Sequence, residues 1–190
     1  MVAGNTMTTF SPQQLVSCDS LDAGCNGGLP TQAFDYVMNA GGLARDVDYP
    51  YTSGKGATGT CDAPLPEASG GTVAAWAYTQ PACQGFRACT EDSAAMASVL
   101  HEYGGISIAI DASSWNTYRG GVMTESSCSS SPRKMDHAVQ VVGYDFDAEK
   151  PYWLVRNSWT DQWGEDGLIK LEMGKNTCGI ANLAAYISKI

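Results

Sequence analysis

The first forty residues place apolar side chains at the spacing of amphipathic helices. Ser11 followed by Pro12 is typical of a helix start, with a serine cap and a proline at the first helical position. After the turn Asn26-Gly27-Gly28, a second helix is predicted from apolar residues that recur every three or four positions: Leu29, Ala33, Phe34, Val37 and Met38. The beginning of the chain is therefore expected to be helical.

The period of the apolar positions changes in the second half of the chain. One more helix is predicted from Glu91 to Tyr103, with Thr90 as its cap and acidic residues in its first turn. Beyond it, short apolar or alternating runs are separated by glycines and charged turns: 106–110, 138–142, 152–156 and 168–171. This pattern favours an antiparallel sheet or a small barrel.

A loop-like stretch separates the two halves, and no internal repeat is found. From Tyr49-Pro50-Tyr51 to Gly70-Gly71 the chain is rich in Gly, Pro and small residues, which favours a loop that covers the first half. We place the domain boundary at Gly70-Gly71. The expected fold class is α+β, with a helix-rich lobe over residues 1–72 and a β-barrel-like lobe over 73–190.

Composition limits the classes of function. The chain has 190 residues, 44% of them apolar, with a formal net charge of −9 and a sequence pI of about 4.5. An excess of carboxylates opposes binding to nucleic acid or to an anionic membrane, so neither is expected as a partner. No apolar run approaches the ~20 residues that span a bilayer. We expect a soluble protein, suited to an acidic compartment.

Seven cysteines in a chain of this size indicate an oxidising compartment, where disulfides persist. Because the number is odd, one thiol is free or pairs outside the chain. Cys83 and Cys89 are close enough in sequence to close a small loop on each other.

The chain has two histidines, and the surroundings of one of them suggest catalysis. His101 lies inside a predicted helix and is interpreted as an ordinary surface side chain. His137 begins one predicted strand, and Asn157 directly follows another. If these strands pair, the Asn157 amide oxygen accepts a hydrogen bond from one ring nitrogen of His137 and fixes its tautomer. Trp159 and Trp163 would cover such a bond or simply fill the core.

The blocks around these residues read Met-Asp-His-Ala-Val-Gln-Val-Val-Gly-Tyr from Met135 and Arg-Asn-Ser-Trp-Thr-Asp-Gln-Trp-Gly from Arg156. They resemble the histidine and asparagine blocks of papain-type, cathepsin L-like cysteine proteases. Further blocks, from Ser-Pro-Gln-Gln-Leu-Val-Ser-Cys to Gly-Lys-Asn-Thr-Cys-Gly-Ile-Ala, follow in the order of the family. The resemblance implies a papain-like two-lobed fold with the active-site cleft between the lobes.

The resemblance also implies a mechanism, with His137 as the base and Asn157 as the residue that orients it. In the family, a cysteine thiolate attacks the scissile carbonyl and the imidazolium protonates the leaving amine. That cysteine and an oxyanion-binding glutamine belong to a Gln…Cys-Gly-Ser-Cys-Trp segment that has no counterpart in this sequence. The chain alone is therefore expected to be inactive, and its helical lobe is expected to lack the central helix.

Three explanations for this difference are open. The sequence is a truncated form, one chain of a processed protease whose cysteine-bearing chain is separate, or an inactive homologue that serves as a binding or structural subunit. The His137/Asn157 pair and the glycine turn argue against the last, because a structural subunit needs neither. The endopeptidase reading is therefore preferred.

The remaining assignments also follow from the resemblance. A polypeptide substrate would contact the glycine turn and an apolar pocket, formed by Gly27, Gly28, Leu29, Pro30, Ala109, Ala138 and Leu183, with Trp159 on the leaving-group side. Family disulfides would join Cys18 to Cys61 and Cys128 to Cys178. Cys25 would be left to pair with the separate cysteine-bearing chain. The family needs neither a cofactor nor a metal, and its expected location is lysosomal, vacuolar or secreted.

Overall fold

The computed structural model describes residues 8–62, 65, 70–82 and 87–190. Their main elements, in chain order, are α1 (Pro12–Cys18), α2 (Pro30–Ala40), β1 (Ala75–Tyr78), α3 (Ser93–Tyr103), β2 (Ile106–Ile110), β3 (Val122–Met123), β4 (His137–Asp145), β5 (Tyr152–Arg156), β6 (Leu168–Glu172) and β7 (Ala184–Lys189). Short 3-10 turns lie at Gly24–Asn26, Trp115–Thr117, Glu125–Ser127, Pro132–Lys134 and Thr177–Gly179.

The chain divides into two compact units. One comprises residues 1–76 together with 187–190, and the other comprises residues 77–186. From the sequence we expected one boundary after residue 72, whereas here the last four residues belong to the first unit. Within the described part of the first unit, residues 41–62 and 70–74 contain no helix or strand, as expected for the loop.

The start of α1 confirms the predicted serine cap. The Ser11 hydroxyl accepts a hydrogen bond from the backbone N–H of Gln14 at 3.1 Å, and Pro12 occupies the first turn. The next side chain, Gln13, is buried and accepts the N–H groups of Thr52 and Ser53 at 2.7 and 3.0 Å. The loop of the first unit is thus held on α1 by hydrogen bonds rather than by its own secondary structure.

The predicted start of α3 is wrong by two residues. The cap is Asp92 and not Thr90, because the Asp92 carboxylate accepts the N–H of Ala95 at 2.9 Å. Glu91 is drawn out of the helix instead. Its carboxylate accepts hydrogen bonds from Trp153 Nε1 and from two backbone N–H groups near residue 175, each at 2.8 Å. This long-range contact overrides the local preference for an acidic first turn.

The four predicted strands form the middle of one sheet, in the order β1-β7-β2-β4-β5-β6-β3. Strand β2 pairs antiparallel with β4 and β7, and β5 pairs antiparallel with β4 and β6, whereas β3 pairs parallel with β6. The sheet predicted from the alternating pattern is confirmed, and β4 extends further than expected. Helices beside a largely antiparallel sheet make the fold α+β.

The core of the second unit consists of alternate residues of the central strands. Side chains that are fully buried include Ile106, Ile108, Ile110, Val141, Trp153, Val155, Ile169 and Leu171. Burying each such side chain contributes about 1.5–3 kcal/mol. The register of each central strand is therefore specified, because a slip of one residue would turn that strand's own buried side chains away from the core.

Candidate active site

His137 is the first residue of β4 and is half-buried. It lies opposite Ile110 of β2 in the strand register. The preceding Asp136 donates its N–H to the Ile110 carbonyl at 3.0 Å, and its carboxylate accepts the N–H of Ala112 at 2.8 Å. Asp136 is thus held by both its backbone and its side chain, and it positions the backbone of the following His137.

Asn157 directly follows β5, the antiparallel neighbour of β4. Its side chain is 92% buried, and its Oδ1 lies 2.8 Å from His137 Nε2. The backbone N–H of Ser158 also donates to Oδ1, at 2.8 Å. Because a backbone N–H can only donate, the Ser158 contact requires that this atom is the oxygen, so the amide orientation is determined by that contact. His137 Nε2 must then carry the proton. In the neutral ring, Nδ1 is therefore the nitrogen that can accept a proton.

Three tryptophans surround this hydrogen bond. Trp159 stacks on the His137 ring with 5.2 Å between ring centroids and 23° between planes. Trp115 meets the same ring at 86°, with centroids 6.3 Å apart. Trp163 stacks on Trp115 at 5.9 Å and meets Trp159 edge-on at 5.2 Å. The imidazole plane is therefore set by packing, and the hydrogen bond to Asn157 lies in apolar surroundings that strengthen it.

Trp115 is the site residue that sequence reasoning missed. It is fully buried, and its backbone carbonyl accepts a hydrogen bond from Trp163 Nε1 at 3.1 Å. It lies in the 3-10 turn after β2, 22 residues before His137, where no local pattern marks it. Only the pairing of β2 with β4 brings it to the imidazole.

Two buried donors of this site have no hydrogen-bond partner within the described part of the chain. They are Asn157 Nδ2 and Trp115 Nε1. Each unpaired donor costs about 1–3 kcal/mol of stability. Both unpaired donors belong to side chains that contact the His137 ring, and unpaired buried groups of this kind often occur at functional sites.

Thr160 has a strained backbone beside this cluster. Its φ is 67°, in the left-handed region that branched L-residues rarely adopt. Glycine, which has no Cβ, adopts this conformation without strain. Thr160 directly follows Trp159, so its turn helps to direct the chain away from the indole that stacks on His137.

A polar network supports the far side of the tryptophan cluster. The Tyr118 ring contacts Trp163 at 5.6 Å, and its hydroxyl donates to the Gly121 carbonyl at 2.7 Å. Burial, together with the neighbouring Glu165 carboxylate, raises the pKa of Tyr118 to about 12. The Lys170 ammonium lies 2.6 Å from Glu165 and holds the pKa of that carboxyl below its usual value. Tyr118 thus stays protonated and Glu165 ionised across the physiological range.

The predicted apolar residues of the second unit form one row across adjacent strands. Ala109 of β2 lies opposite Ala138 of β4. Ile108 pairs with Ala184, the first residue of β7, and Leu183 directly precedes that strand. Ala138 is exposed, Leu183 half-buried and Ala109 buried. Ala109 and Ala138 therefore lie side by side next to His137, and Leu183 lies one residue before the strand that pairs with β2.

The remaining predicted residues, from Gly27 to Pro30, lie in the first unit. Gly27 has a φ of 105°, and a Cβ built at Gly28 would collide with the Asp22 carboxylate. Asp22 accepts the N–H of Leu29 at 2.9 Å, and α2 begins at Pro30. Neither backbone group of Gly28 is hydrogen-bonded within the described residues. Among the described residues, Gly28 thus presents exposed, unpaired backbone groups at a position where a side chain would not fit.

The disulfides match the pairing implied by the resemblance. Cys18 is bonded to Cys61 and Cys128 to Cys178, as expected. Cys25 is an exposed free thiol. The expected partner of Cys89, Cys83, lies outside the described residues.

The described residues form neither a metal-binding cluster nor a membrane-spanning helix. In that part of the chain, no three His, Cys, Asp or Glu side chains are grouped so that they would hold a metal ion. No described helix is both long enough and apolar enough to cross a bilayer.

A fold of helices with a mostly antiparallel sheet, and an Asn-oriented histidine on paired strands, define a papain-like class of protein. The family model described as "Papain family cysteine protease" matches residues 1–188. The chain belongs to the papain family of cysteine proteases.

Individual relatives agree with this assignment. A cysteine proteinase of Trypanosoma brucei brucei is 40% identical over 179 residues, which is 93% of this chain and 36% of that protein. Cysteine proteinase A of Leishmania mexicana is 37% identical over 182 residues, 95% of this chain and 47% of that protein. The chain thus spans between a third and a half of the length of these curated relatives.

A solved structure has the same fold. It is the digestive procathepsin L2 proteinase from the larval midgut of Tenebrio molitor, with a TM-score of 0.79 and 32% sequence identity. The match covers 95% of this chain and 53% of that one. The α+β, papain-like fold expected from the sequence is confirmed.

Proposed function

We propose that this chain provides the histidine base and the substrate-binding residues of a papain-type cysteine endopeptidase. The observation that carries the proposal is the 2.8 Å contact between His137 Nε2 and Asn157 Oδ1, with the amide orientation fixed by Ser158. This contact leaves His137 Nδ1 as the nitrogen that exchanges protons. A structural subunit has no physical need for such an arrangement.

In the proposed reaction, His137 Nδ1 takes the proton of a cysteine thiol and later gives a proton to the leaving amine. The thiolate forms an acyl-enzyme with the substrate carbonyl, and water activated by the same nitrogen releases the acid. Asn157 keeps the imidazole in place throughout and transfers no proton. Trp159, stacked on the ring, would contact the residues on the leaving-group side of the scissile bond.

The glycine turn would bind the substrate backbone. Gly28 is exposed, and neither of its backbone groups has a partner in the described part of the chain, so an extended peptide can add to them as a strand would. Gly27 gives the turn its positive φ, and Leu29 and Pro30 follow as apolar contacts. A side chain at Gly28 would displace Asp22 and the hydrogen bond that holds the turn.

The apolar row would select the second substrate residue before the scissile bond. Ala109, Ala138 and Leu183 carry no polar side-chain group, so this wall would not pair a charged substrate side chain. Leu and Phe are therefore the proposed preference at that substrate position.

The thiol is proposed to come from a Gln…Cys-Gly-Ser-Cys-Trp segment, either continuous with this sequence or on a separate chain bonded to Cys25. The exposed free thiol of Cys25 supports such a bond. Two disulfides in the described part of the chain, and a sequence pI of about 4.5, support an oxidising and acidic location, such as a lysosome, a vacuole or the cell exterior.

The test is reconstitution. The 190-residue chain alone should neither hydrolyse peptides nor react at its site with an epoxysuccinyl thiol probe, because loss of a nucleophile costs factors on the order of 10⁶. Supplying the Gln…Cys-Gly-Ser-Cys-Trp segment, fused or as a separate chain, should restore both. Turnover by the unsupplemented chain that disappears in Cys25→Ser would overturn the proposal. Non-reducing peptide mapping of the reconstituted protein would show whether Cys25 pairs with the added segment.

A further inference from the structure

Asn182 is a fully buried amide that joins three distant segments of the second unit. Its Oδ1 accepts hydrogen bonds from the N–H of Cys89 at 3.1 Å and from Asn176 Nδ2 at 2.9 Å. Its Nδ2 donates to the Ser130 carbonyl at 2.8 Å and lies 3.7 Å from Met135 Sδ. Since two donors meet the oxygen and two acceptors meet the nitrogen, the amide has one satisfied orientation.

The contact with Met135 matters because this residue lies two positions before His137. The Met135 side chain is confined between Asn182 and Gly179, whose φ is 81°. A Cβ built at Gly179 would lie 2.5 Å from Met135 Cε and 2.7 Å from Asn182 Nδ2. No space is left for Met135 to move toward the 3-10 turn at Thr177–Gly179. Asn182 and Gly179 thus hold the Met135 side chain, two positions before His137.

Asn182 also precedes Leu183, which continues the apolar row of Ala109 and Ala138. Its N–H donates to the Gly179 carbonyl at 2.9 Å, so both its backbone and its side chain are held. One buried residue is thus bonded to the segment before the histidine and is itself adjacent to the apolar wall. Its amide oxygen additionally holds the backbone at Cys89.

We propose that Asn182 is a positioning residue that sets both His137 and Leu183. It touches neither a substrate nor a reacting atom, and acts through Met135 on one side and through its own backbone on the other. This inference rests on the proposed function, because the roles of His137 and Leu183 are part of that proposal. Removing the Asn182 amide should therefore displace both His137 and Leu183 while the chain keeps its fold.

The test uses NMR of the 190-residue chain, so it needs no peptide hydrolysis. The chain has two histidines, and exposed His101 is an internal reference for His137. In Asn182→Ala, we expect solvent exchange of the His137 Nε2 proton to accelerate about tenfold, the size usual for coupled neighbours. The His137 ring and Leu183 methyl resonances should shift, while those of His101 stay. Asn39→Ala, an exposed amide on α2, is the matched control and should change none of them.

A second variant keeps the proposal testable if Asn182→Ala does not fold. Met135→Leu conserves the apolar volume but removes the sulfur next to the Asn182 amide. It should accelerate exchange at His137 and leave the N–H of Cys89 unchanged. If His137 and Leu183 resonances coincide with those of the unmodified chain in every folded variant, while only the melting temperature falls, Asn182 is merely structural and the proposal is overturned. Failure of reconstituted proteolysis would leave this NMR result unaffected.

Discussion

Asn157 Oδ1 accepts a hydrogen bond from His137 Nε2 at 2.8 Å, and the backbone beside Asn157 determines which amide atom faces the ring. The N–H of Ser158 meets the same oxygen at 2.8 Å. If the Asn157 amide were rotated by 180°, its Nδ2 group would face the N–H of Ser158, and two donors would meet. The tautomer of the proposed base is therefore determined by a backbone donor one residue away from the side chain that orients it.

The first prediction compares the two members of this pair in the reconstituted enzyme. His137→Ala should lower kcat/KM by at least about 10²–10⁴-fold, because it removes the proton-transferring group. Asn157→Ala should lower it by about 10–100-fold, since a hydrogen bond to a charged group is worth ~1.5–3 kcal/mol. Steady-state kinetics with a fluorogenic peptide would measure both. Equal losses in the two variants would contradict a purely orienting role for Asn157.

The second prediction concerns the apolar row. Peptides with Leu or Phe two residues before the cleaved bond should be hydrolysed faster than peptides with Arg or Asp. Leu183→Glu should narrow the difference between Leu and Arg peptides by about tenfold or more, because a carboxylate in the wall pairs the guanidinium. The ratio of kcat/KM values for the two peptides is the measurement. Leu21→Glu, at an exposed position of the first unit, should leave the ratio unchanged. Equal rates for Leu and Arg in the unmodified enzyme would place the pocket elsewhere.

The third prediction concerns backbone strain. Thr160→Gly should raise the free energy of unfolding by about 0.5–1 kcal/mol, because relief of ~1–2 kcal/mol of left-handed strain exceeds the entropy cost of glycine. Urea denaturation would measure the change. Thr117→Gly is the matched control, since this threonine is also exposed but has no positive φ. It should lower stability by about 0.5–1 kcal/mol. A loss of stability at both positions would show that the Thr160 side chain stabilises its turn.

The fourth prediction concerns pH and Asp111. Burial by itself would raise the pKa of this carboxyl, but hydrogen bonds from Ser113 and Ser129 hold it below 3.8. A lowered folded-state pKa stabilises the protein above the unfolded value, and that stabilisation is lost as the pH falls through the folded-state pKa. Asp111→Asn should therefore cost about 1.5–3 kcal/mol near neutral pH and less below pH ~3. Denaturation curves at both pH values would measure this. A cost independent of pH would mean that Asp111 acts by shape alone.

Local sequence signals were sufficient where the determining contacts are local. The start of α1 follows from Ser11 and Pro12, whose preferences act within one turn. The strand Ile106–Ile110 was predicted with its observed bounds, because a run rich in branched apolar residues between Gly105 and Asp111 favours a buried strand. The pairing of His137 with Asn157 was predicted from their positions at neighbouring strand ends, and the hydrogen bond is found.

Resemblance added what spacing alone did not supply. The bonds Cys18–Cys61 and Cys128–Cys178 were expected from the family pattern, since cysteine spacing leaves several pairings open. The apolar row through Leu183 also comes from resemblance, and its role in substrate binding stays a prediction.

Tertiary structure alone decided the features that depend on contacts across long stretches of sequence. Glu91 was expected to open a helix, but Trp153, 62 residues away, draws its carboxylate to the sheet. Trp115 reaches His137 only because β2 pairs with β4, and Asn182 meets Met135 only once β7 lies beside β2. Sequence thus determined the helices, four of the seven described strands and the chemistry of the two principal residues, because those follow from local preference and residue type. The folded sheet decided which side chains hold them, because strand register sets contacts that no local pattern encodes.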